Sequence, residues 1–182
     1  MSVEVTLLGP AEVPAADVVA VYTEAFGAAP YFEGEEEVRR FADDALPCHL
    51  ERRDFRLALA RSAEDGAVVG FAYGYTGEHG QWWHDWARTR LTPAEAAEWV
   101  DGAFEMVELA VRPAAQRRGA GGRLHDALLA GLPNRTALLS TRDSDTPARR
   151  LYTRRGWVTL REKLQAGPGR PGVLLMGLRL PA

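Results

Sequence analysis

The chain has 182 residues, of which 46% are hydrophobic, and a formal net charge of −3. A chain of this length can bury one substantial core, so we expect a single domain over residues 1–182. No apolar run reaches the roughly 18 residues of a membrane-spanning helix, and the first five residues lack the basic and apolar regions of a secretory signal. With Cys48 as its one cysteine, the chain can form no intrachain disulfide. These features predict a cytoplasmic protein that does not enter a membrane.

Charge is distributed unevenly along the sequence. Residues 1–111 carry 8 arginines against 21 acidic residues, whereas residues 112–161 carry 11 arginines against 3 acidic residues. This asymmetry is compatible with two ligands of opposite charge, and equally with ordinary solvated faces. Because the basic segment is short and the whole chain is acidic, nucleic-acid binding is disfavoured.

The first half of the sequence predicts a strand, two helices and a hairpin. Apolar residues at helical spacing, such as Val18, Tyr22 and Phe26, favour the first helix. The glutamates at 33–37 favour the start of the second, since the helix dipole stabilises negative charge there. Asp65-Gly66 predicts a tight turn. The predicted elements are a strand at 3–8, helices at 14–26 and 33–46, and strands at 55–60 and 67–75.

The second half predicts strands that alternate with helices. An aromatic segment at 81–86 precedes a short helix, which Thr92-Pro93 should start and which ends near residue 100. The further elements are strands at 104–111, 135–140, 157–160 and 173–178, helices at 118–130 and 146–155, and a Gly- and Pro-rich stretch at 167–172. The strand–helix–strand unit at 104–140 should be a right-handed parallel crossover. The sequence therefore predicts a mixed α/β sheet.

A glycine-rich loop, Gln116-Arg117-Arg118-Gly119-Ala120-Gly121, joins the strand at 104–111 to the next helix. Backbone N–H groups at a helix N-terminus have no helical partner, and glycine lets a phosphate approach closely. The loop therefore predicts a phosphate site, with a glycine-rich connector between surface arginines as the alternative. Gly122-Arg123-Leu124 lacks the Lys-Ser/Thr of a P-loop. Leu124 also stands where a dinucleotide fingerprint needs a small residue.

Two segments together resemble the GNAT acyltransferase superfamily. Gln116, Gly119 and Gly121 match its pyrophosphate loop, Gln/Arg-x-x-Gly-x-Gly/Ala. The segment Ala148-Arg149-Arg150-Leu151-Tyr152-Thr153-Arg154-Arg155-Gly156-Trp157 is similar to its later helix, Ala-x-x-Leu-Tyr-x-x-x-Gly-Phe. Because both occur in the expected order around an intervening strand, the resemblance is specific. It covers roughly residues 104–160.

The resemblance implies a single GNAT-like domain with a mixed central sheet of about seven strands. The sheet should be splayed between the strands at 104–111 and 135–140 and flanked by helices. Residues 1–103 would form the acceptor-side half, 104–160 the acyl-CoA-binding core and 161–182 the C-terminal strands. The implied activity is transfer of an acetyl group from acetyl-CoA to a primary amine of a small molecule or peptide, without a metal. A non-catalytic acyl-CoA-binding or regulatory module of the same fold is the alternative.

The resemblance also implies the contacts with acyl-CoA. The backbone of the strand would pair with the pantetheine arm, the loop N–H groups would bind the pyrophosphate, and nearby arginines could meet the distal phosphate. Asp145 stands where the family often has an asparagine, and Thr146 could cap the helix there instead. The expected cofactor-binding residues are Leu109, Ala110, Val111, Gln116, Arg117, Arg118, Gly119, Ala120, Gly121, Gly122, Arg123, Asp145 and Arg149.

Catalysis in such a family requires a base, because an ammonium has no lone pair and must lose a proton before it attacks the thioester. The resemblance assigns this role first to Glu105 and second to Glu108, with a water chain or a neutral substrate as alternatives. The two glutamates have opposite parity and should point to opposite faces of the strand. Tyr152 matches the family's general acid, which reprotonates the CoA thiolate. The N–H of Val111 or Leu109 would polarise the thioester carbonyl.

Acceptor choice is expected from residues 28–37 and 77–100. The tryptophans between Trp82 and Trp86 could form an aromatic wall for an organic cation, and the acidic run at 33–37 could attract a polyamine or aminoglycoside. Equally, the tryptophans could be core or homodimer contacts and the acids a helix start. His79 and His84 lack the spacing of a metal site.

Overall fold

The computed structural model describes residues 2–165, 167 and 171–181, and its central feature is a seven-stranded mixed sheet of order β1-β2-β3-β4-β5-β7-β6. The predicted fold class, a mixed α/β sheet of about seven strands with flanking helices, is confirmed. Part of the predicted Gly- and Pro-rich stretch at 167–172 lies outside the described residues. The strands are β1 (Val3–Leu8), β2 (Arg56–Ser62), β3 (Val68–Thr76), β4 (Phe104–Val111), β5 (Thr136–Arg142), β6 (Val158–Gln165) and β7 (Gly172–Arg179).

The helices follow the predicted order, with one addition. Across the described residues the α-helices are α1 (Ala15–Gly27), α2 (Glu35–Arg40), α3 (Leu46–Leu50), α4 (Trp82–Thr89), α5 (Pro93–Trp99), α6 (Ala120–Leu129) and α7 (Pro147–Arg154). Helix α4 is the addition: the sequence indicated only an irregular aromatic segment there. None of the described helices is both long and apolar enough to cross a membrane.

Strand pairing agrees with the predicted topology. β1 with β2, β2 with β3, β5 with β7 and β6 with β7 are antiparallel. β4 and β5 are parallel, and they pair at Phe104 with Ala137 and Glu105 with Leu138, at the start of β4. The parallel direction of β4 and β5 is as predicted, and the right-handed crossover and the splayed arrangement remain predictions.

The chain folds into two compact units. The first comprises Met1–Tyr75 and Val107–Ala130, and the second comprises Thr76–Met106 and Gly131–Ala182. Strand β4 supplies residues to both. The division predicted from the sequence, at residues 103 and 160, remains a prediction.

The core of the first unit is aromatic. Phe71, Tyr73 and Tyr75 alternate along β3 and are all buried, as expected when residues i, i+2 and i+4 share one face of a strand. Tyr22 from α1 stacks on Phe41 with ring centroids 3.9 Å apart. These rings bring α1 and the segment after α2 onto the sheet, since buried aromatic side chains contribute large apolar areas.

The core of the second unit explains two of the tryptophans. Trp86 is buried and packs in a cluster with Ala87 and Leu175, to which the half-buried Trp83 also contributes. The Trp83 indole N–H donates to Ser140 Oγ at 3.0 Å, and the Trp86 indole N–H donates to the Gln165 carbonyl at 3.4 Å. Trp83 and Trp86 are thus core residues of this unit, which is one of the alternatives left open by the sequence.

The predicted helix at 33–46 is longer and is interrupted. After α2 the chain forms one π-helical segment, Phe41–Ala45, and then α3. Pro47 lies in the first turn of α3. The helical path therefore continues past residue 46, where the predicted helix ended, by way of the π turn.

Candidate active site

The loop after β4 has the geometry of an anion-binding turn. β4 ends at Val111, and a 3-10 turn follows over Pro113–Ala115. The Gln116 side chain donates from Nε2 to the Val111 carbonyl at 2.9 Å, which holds the loop against the end of the strand. Gly119 is the N-cap of α6 and adopts φ +84°, a conformation that favours glycine.

The first turn of α6 presents unused backbone donors. Arg123 donates its N–H to the Gly119 carbonyl at 3.1 Å as the first bond of the helix. The N–H groups of Ala120, Gly121 and Gly122 come before that bond, where a helix leaves its donors without intrahelical partners. The side chains of Arg117, Arg118 and Arg123 are exposed beside them. This arrangement suits a pyrophosphate, as the sequence predicted.

Glu108 lies in the first unit among groups that oppose its charge. The residue as a whole is half-buried. Withdrawal from water raises the pKa of Glu108 to about 8, and the negative charge of Glu33 adds to the rise. Glu108 in turn helps to raise the pKa values of the phenols of Tyr22 and Tyr73, after burial as the larger cause. A carboxyl in these surroundings can hold a proton at neutral pH.

Glu33 is positioned by two contacts within the same unit. Its backbone N–H donates to the Phe26 carbonyl at 2.9 Å. Its carboxylate accepts a hydrogen bond from the Tyr22 hydroxyl at 2.6 Å. The aromatic rings of Phe26 and Tyr31 lie close by, with centroids 5.0 Å apart. The segment between α1 and α2 therefore places a carboxylate close enough to raise the pKa of Glu108.

Tyr73 and His49 form a second pair of polar groups in the first unit. Tyr73 is fully buried, and its hydroxyl lies 2.9 Å from Nδ1 of His49 on α3. Burial lowers the pKa of His49 to about 4, and the positive charge of Arg52 contributes. His49 is therefore neutral at pH 7.

The sequence alone did not indicate Tyr22, Tyr73 or His49 as site residues, and it indicated Glu33 only as part of the acidic run at 33–37 that could attract a cationic acceptor. Glu33 stood inside an acidic run that resembles any helix start, and Tyr73 stood in an alternating strand that resembles any core strand. His49 follows Pro47 and lies beyond the predicted end of its helix. The one available signal was the aromatic face of β3, which carries Tyr73.

Glu105 has different surroundings, in the second unit. Its side chain is 2% exposed, and Oε1 lies 2.9 Å from Nδ1 of His84, which is also buried. A Cβ on Gly77 would lie 2.0 Å from the same oxygen, so the carboxylate occupies the space that a side chain there would need. Glu105 is thus a buried carboxylate paired with a histidine of α4. Its predicted role as a base remains a prediction.

The other predicted residues of the second unit are engaged in local contacts. Tyr152 is buried in α7 with its ring 5.8 Å from that of Trp157. Arg149 forms ion pairs with Asp143 and Glu162, at 3.4 and 3.5 Å. Asp145 pairs with Arg150 at 2.7 Å. Thr146 accepts the Arg149 N–H at 3.1 Å, which confirms the predicted cap of α7.

The aromatic segment at 82–86 presents one exposed ring. Trp82 is 63% exposed and stacks on Trp86, and Arg90 lies over the Trp86 ring at 5.6 Å. The acceptor-binding role proposed for this segment is not tested by these contacts. In the described part of the chain, no group of three or more His, Cys, Asp or Glu side chains is arranged to hold a metal ion.

Comparison with known proteins gives the class of the chain. The family model described as the Acetyltransferase (GNAT) family matches residues 18–157. This match covers well over half of the sequence and includes both segments that carried the resemblance. The chain belongs to the GNAT acetyltransferase family.

The chain is similar to individual members of the family and to solved structures. A GCN5-like protein acetyltransferase of Mycobacterium tuberculosis is 37% identical over an alignment of 113 residues, which covers 57% of this chain and 55% of the relative. The match thus spans about half the length of that protein. The crystal structure of a histone acetyltransferase HPA2 and related acetyltransferase from Corynebacterium glutamicum has a TM-score of 0.66 at 20% identity, covering 100% of this chain and 98% of that one.

A second solved structure is the ribosomal-protein-S18-alanine N-acetyltransferase of Escherichia coli. Its TM-score is 0.60 at 19% identity, and the match covers 98% of this chain and 94% of that one. At such identities the two structures establish the shared fold.

Proposed function

We propose that the protein is an N-acetyltransferase that transfers the acetyl group of acetyl-CoA to a primary amine of a small molecule or peptide, with Glu108 as the general base. The observation that carries the proposal is the position of Glu108. The pKa of its carboxyl is raised. Glu108 lies on β4, which leads into the anion-binding loop, and it precedes by one to three residues the backbone N–H groups expected to polarise the thioester.

The donor side rests on the loop. The N–H groups at the start of α6, the left-handed Gly119 and the exposed arginines suit the pyrophosphate of CoA. Leu109–Val111 would then carry the pantetheine contacts. Members of the family use acyl-CoA as the donor. The residues of the loop and of the strand before it fit this co-substrate.

The base assignment rests on a match of pKa values. An alkylammonium has a pKa of about 10.4 and an ordinary glutamate one of about 4.3, so proton transfer between them is strongly uphill. With the pKa of Glu108 at about 8, the gap is much smaller. A catalytic base works best when its pKa lies near the working pH. Glu105 is instead buried in contact with His84, so we propose Glu108 in preference to it.

The acceptor is proposed to be an amine, and a cationic one before reaction. The Glu33 carboxylate, held by the Tyr22 hydroxyl, gives the first unit a negative group beside aromatic rings, which suits an ammonium group. Two relatives are named for acceptors of the peptide kind: a protein acetyltransferase and an enzyme acting on an alanine of a ribosomal protein. Both a small amine and a peptide amine therefore belong in the test.

The test is release of CoA thiol from acetyl-CoA across a panel of small amines, polyamines, aminoglycosides and peptides. We expect turnover with at least one amine, and kcat/KM that rises with pH to a plateau with an apparent pKa of about 8. Tyr152→Phe should lower kcat if Tyr152 is the general acid. Binding of acetyl-CoA should raise the melting temperature.

Two outcomes would overturn the proposal. If acetyl-CoA stabilises the protein but no amine in the panel is acetylated, the non-catalytic binding module is supported instead. If acetyl-CoA gives no stabilisation at any concentration up to the millimolar range, the donor assignment itself fails.

A further inference from the structure

Arg112 is the residue that joins β4 to the anion-binding loop. Its backbone N–H donates to the Val69 carbonyl of β3 at 2.9 Å. Its own carbonyl accepts the N–H of the buried Ala115 at 2.9 Å, which closes the 3-10 turn at the start of the loop. The backbone of Arg112 is therefore held on one side by the neighbouring strand and on the other by the first turn of the loop.

The side chain of Arg112 adds two contacts within the first unit. Nε donates to the Val68 carbonyl of β3 at 2.8 Å, and Nη1 forms an ion pair with Glu24 on α1. The side chain is 27% exposed, so much of it is withdrawn from water. A hydrogen bond from a charged donor is stronger than one between neutral groups. One guanidinium thus ties the entry of the loop to β3 and to α1.

The loop after Arg112 contains backbone conformations that need support. Arg117 adopts φ +60° and Gly119 adopts φ +84°, and the left-handed region is unfavourable for a residue with a side chain. Such conformations persist where the surrounding structure fixes them. The Gln116 side chain supplies one fixing contact, to the Val111 carbonyl at 2.9 Å. Arg112 supplies the contacts that reach beyond the loop, to a second strand and a helix.

The exit of the loop is fixed by packing. Leu124 of α6 is fully buried. A Cβ on Gly70 of β3 would lie 2.9 Å from the Ala110 carbonyl oxygen and 3.0 Å from Cδ1 of Leu124, so β3, β4 and α6 are in close contact at this point. Both ends of the loop are therefore held against β3, the exit by apolar packing and the entry by Arg112.

We propose that Arg112 is the positioning residue of the anion-binding loop, and that it determines how strongly the protein prefers a donor with a pyrophosphate to a thioester without one. The inference rests on the proposed donor, acetyl-CoA. Arg112 acts through the backbone, because its guanidinium is engaged by Val68 and Glu24 while the phosphates meet the N–H groups at the start of α6. Without this anchor the N–H groups would have to be ordered each time the donor binds, which costs affinity.

The experiment compares two donors in the wild type and in Arg112→Ala. S-acetylpantetheine has the thioester and the pantetheine arm of acetyl-CoA but no pyrophosphate. Calorimetric titration should show the Kd for CoA raised about 10- to 30-fold by Arg112→Ala. The KM for acetyl-CoA should rise to a similar degree with kcat within threefold, because the reacting groups are untouched. For S-acetylpantetheine, kcat/KM should change less than twofold.

Arg56→Ala is the matched control. Arg56 is also a half-buried arginine of the first unit that donates to a backbone carbonyl, that of Ala127 at 3.3 Å. Its removal should lower the melting temperature and leave the Kd for CoA within twofold. Two milder variants grade the effect. Glu24→Gln breaks only a partly exposed ion pair and should raise the Kd less than about threefold. Arg112→Lys should give a Kd between those of the wild type and Arg112→Ala.

Amide hydrogen exchange measures the loop without any activity. In Arg112→Ala the N–H groups of residues 113–122 should exchange faster, while those of β2 keep wild-type protection. If Arg112→Ala does not fold, as judged by its thermal transition, Arg112→Lys and Glu24→Gln carry the comparison.

Four results separate the possible failures. Unchanged CoA affinity in the Arg112 variants would show that the loop keeps its shape without this residue. Equal losses of kcat/KM with both donors would show a general structural role. An equal rise of the Kd in Arg56→Ala would assign the effect to stability. If the wild type does not bind CoA, the donor assignment fails first, and hydrogen exchange still decides whether Arg112 holds the loop.

Discussion

Strand β4 carries two glutamates three residues apart, and the two units give them opposite surroundings. Glu105 is almost fully buried and is paired with His84. Glu108 is half-buried, with a second carboxylate and phenol rings as its neighbours. Burial and the charge of Glu33 destabilise a negative charge on Glu108, whereas Glu105 is held in a close polar contact with His84. A buried pair holds elements together, whereas an uncompensated carboxyl with a raised pKa can take up a proton during a reaction.

The largest effect should come from the uncompensated carboxyl. Glu108→Gln keeps the size of the side chain and removes the base, so we expect kcat to fall by about 10²- to 10⁴-fold. Thiol release from acetyl-CoA with the best acceptor measures it. The control is Glu4→Gln, which changes an exposed glutamate of β1 and should keep full activity. Wild-type activity in Glu108→Gln would show that the base lies elsewhere, and Glu105 would return as the candidate.

Glu105, the carboxylate paired with His84, should contribute to the free energy of unfolding. Glu105→Gln weakens a buried hydrogen bond to His84 and leaves less well satisfied polar groups, which typically costs about 1–3 kcal/mol of unfolding free energy. Urea denaturation followed by tryptophan fluorescence measures this loss. The folded variant should retain kcat within a few fold. A large loss of kcat without any loss of stability would reverse the comparison between the two glutamates.

Smaller effects are expected from two substitutions in the anion-binding loop, one that changes the backbone conformation and one that removes a side chain. Gly119→Val places a β-branched residue at φ +84°, which we expect to weaken CoA binding by about tenfold, since a left-handed conformation costs a non-glycine residue about 1–2 kcal/mol. Arg117→Ala should weaken binding by less than about threefold, because an exposed arginine contributes little in water. Calorimetric titration with CoA measures both. Equal losses would mean that the arginine side chain, and not the turn, determines phosphate binding.

The smallest effect should be on the pH dependence of stability. The folded pKa of Glu108 is raised from 4.5 to about 8, so the folded state binds more protons than the unfolded state between these values. The stability of the wild type should therefore be fully present below about pH 4.5 and decline as the pH rises through 8, relative to Glu108→Gln. His49, whose pKa is lowered, acts with the opposite sign below pH 6.5 but is present in both proteins and cancels.

Denaturation of the wild type and Glu108→Gln at a series of pH values measures this difference. The difference in unfolding free energy should change steadily between pH 5 and 8. A constant difference over that range would show that the pKa of Glu108 is ordinary.

The sequence determined the fold class, the order of the strands and the loop. Alternation and helical periodicity are local, so β1, the β2–β3 hairpin, β4, α6 and the cap at Thr146 were all predictable. The family followed from two short segments whose spacing is also local. Helix α4 was missed because tryptophans at positions 82, 83 and 86 suit either a helix or an aromatic loop, and only the core of the second unit decides between them.

Tertiary structure alone decided how the two glutamates of β4 differ. Their spacing in the sequence gives opposite faces of a strand and nothing more. His84 comes from α4 to pair with Glu105, while Glu33, Tyr22 and Tyr73 come from three separate segments to surround Glu108. A pKa depends on which groups folding brings within a few ångströms and on how much water it removes. Neither quantity can be derived from the residues next to a glutamate, so the loop could be found by spacing and the proposed base only by its surroundings.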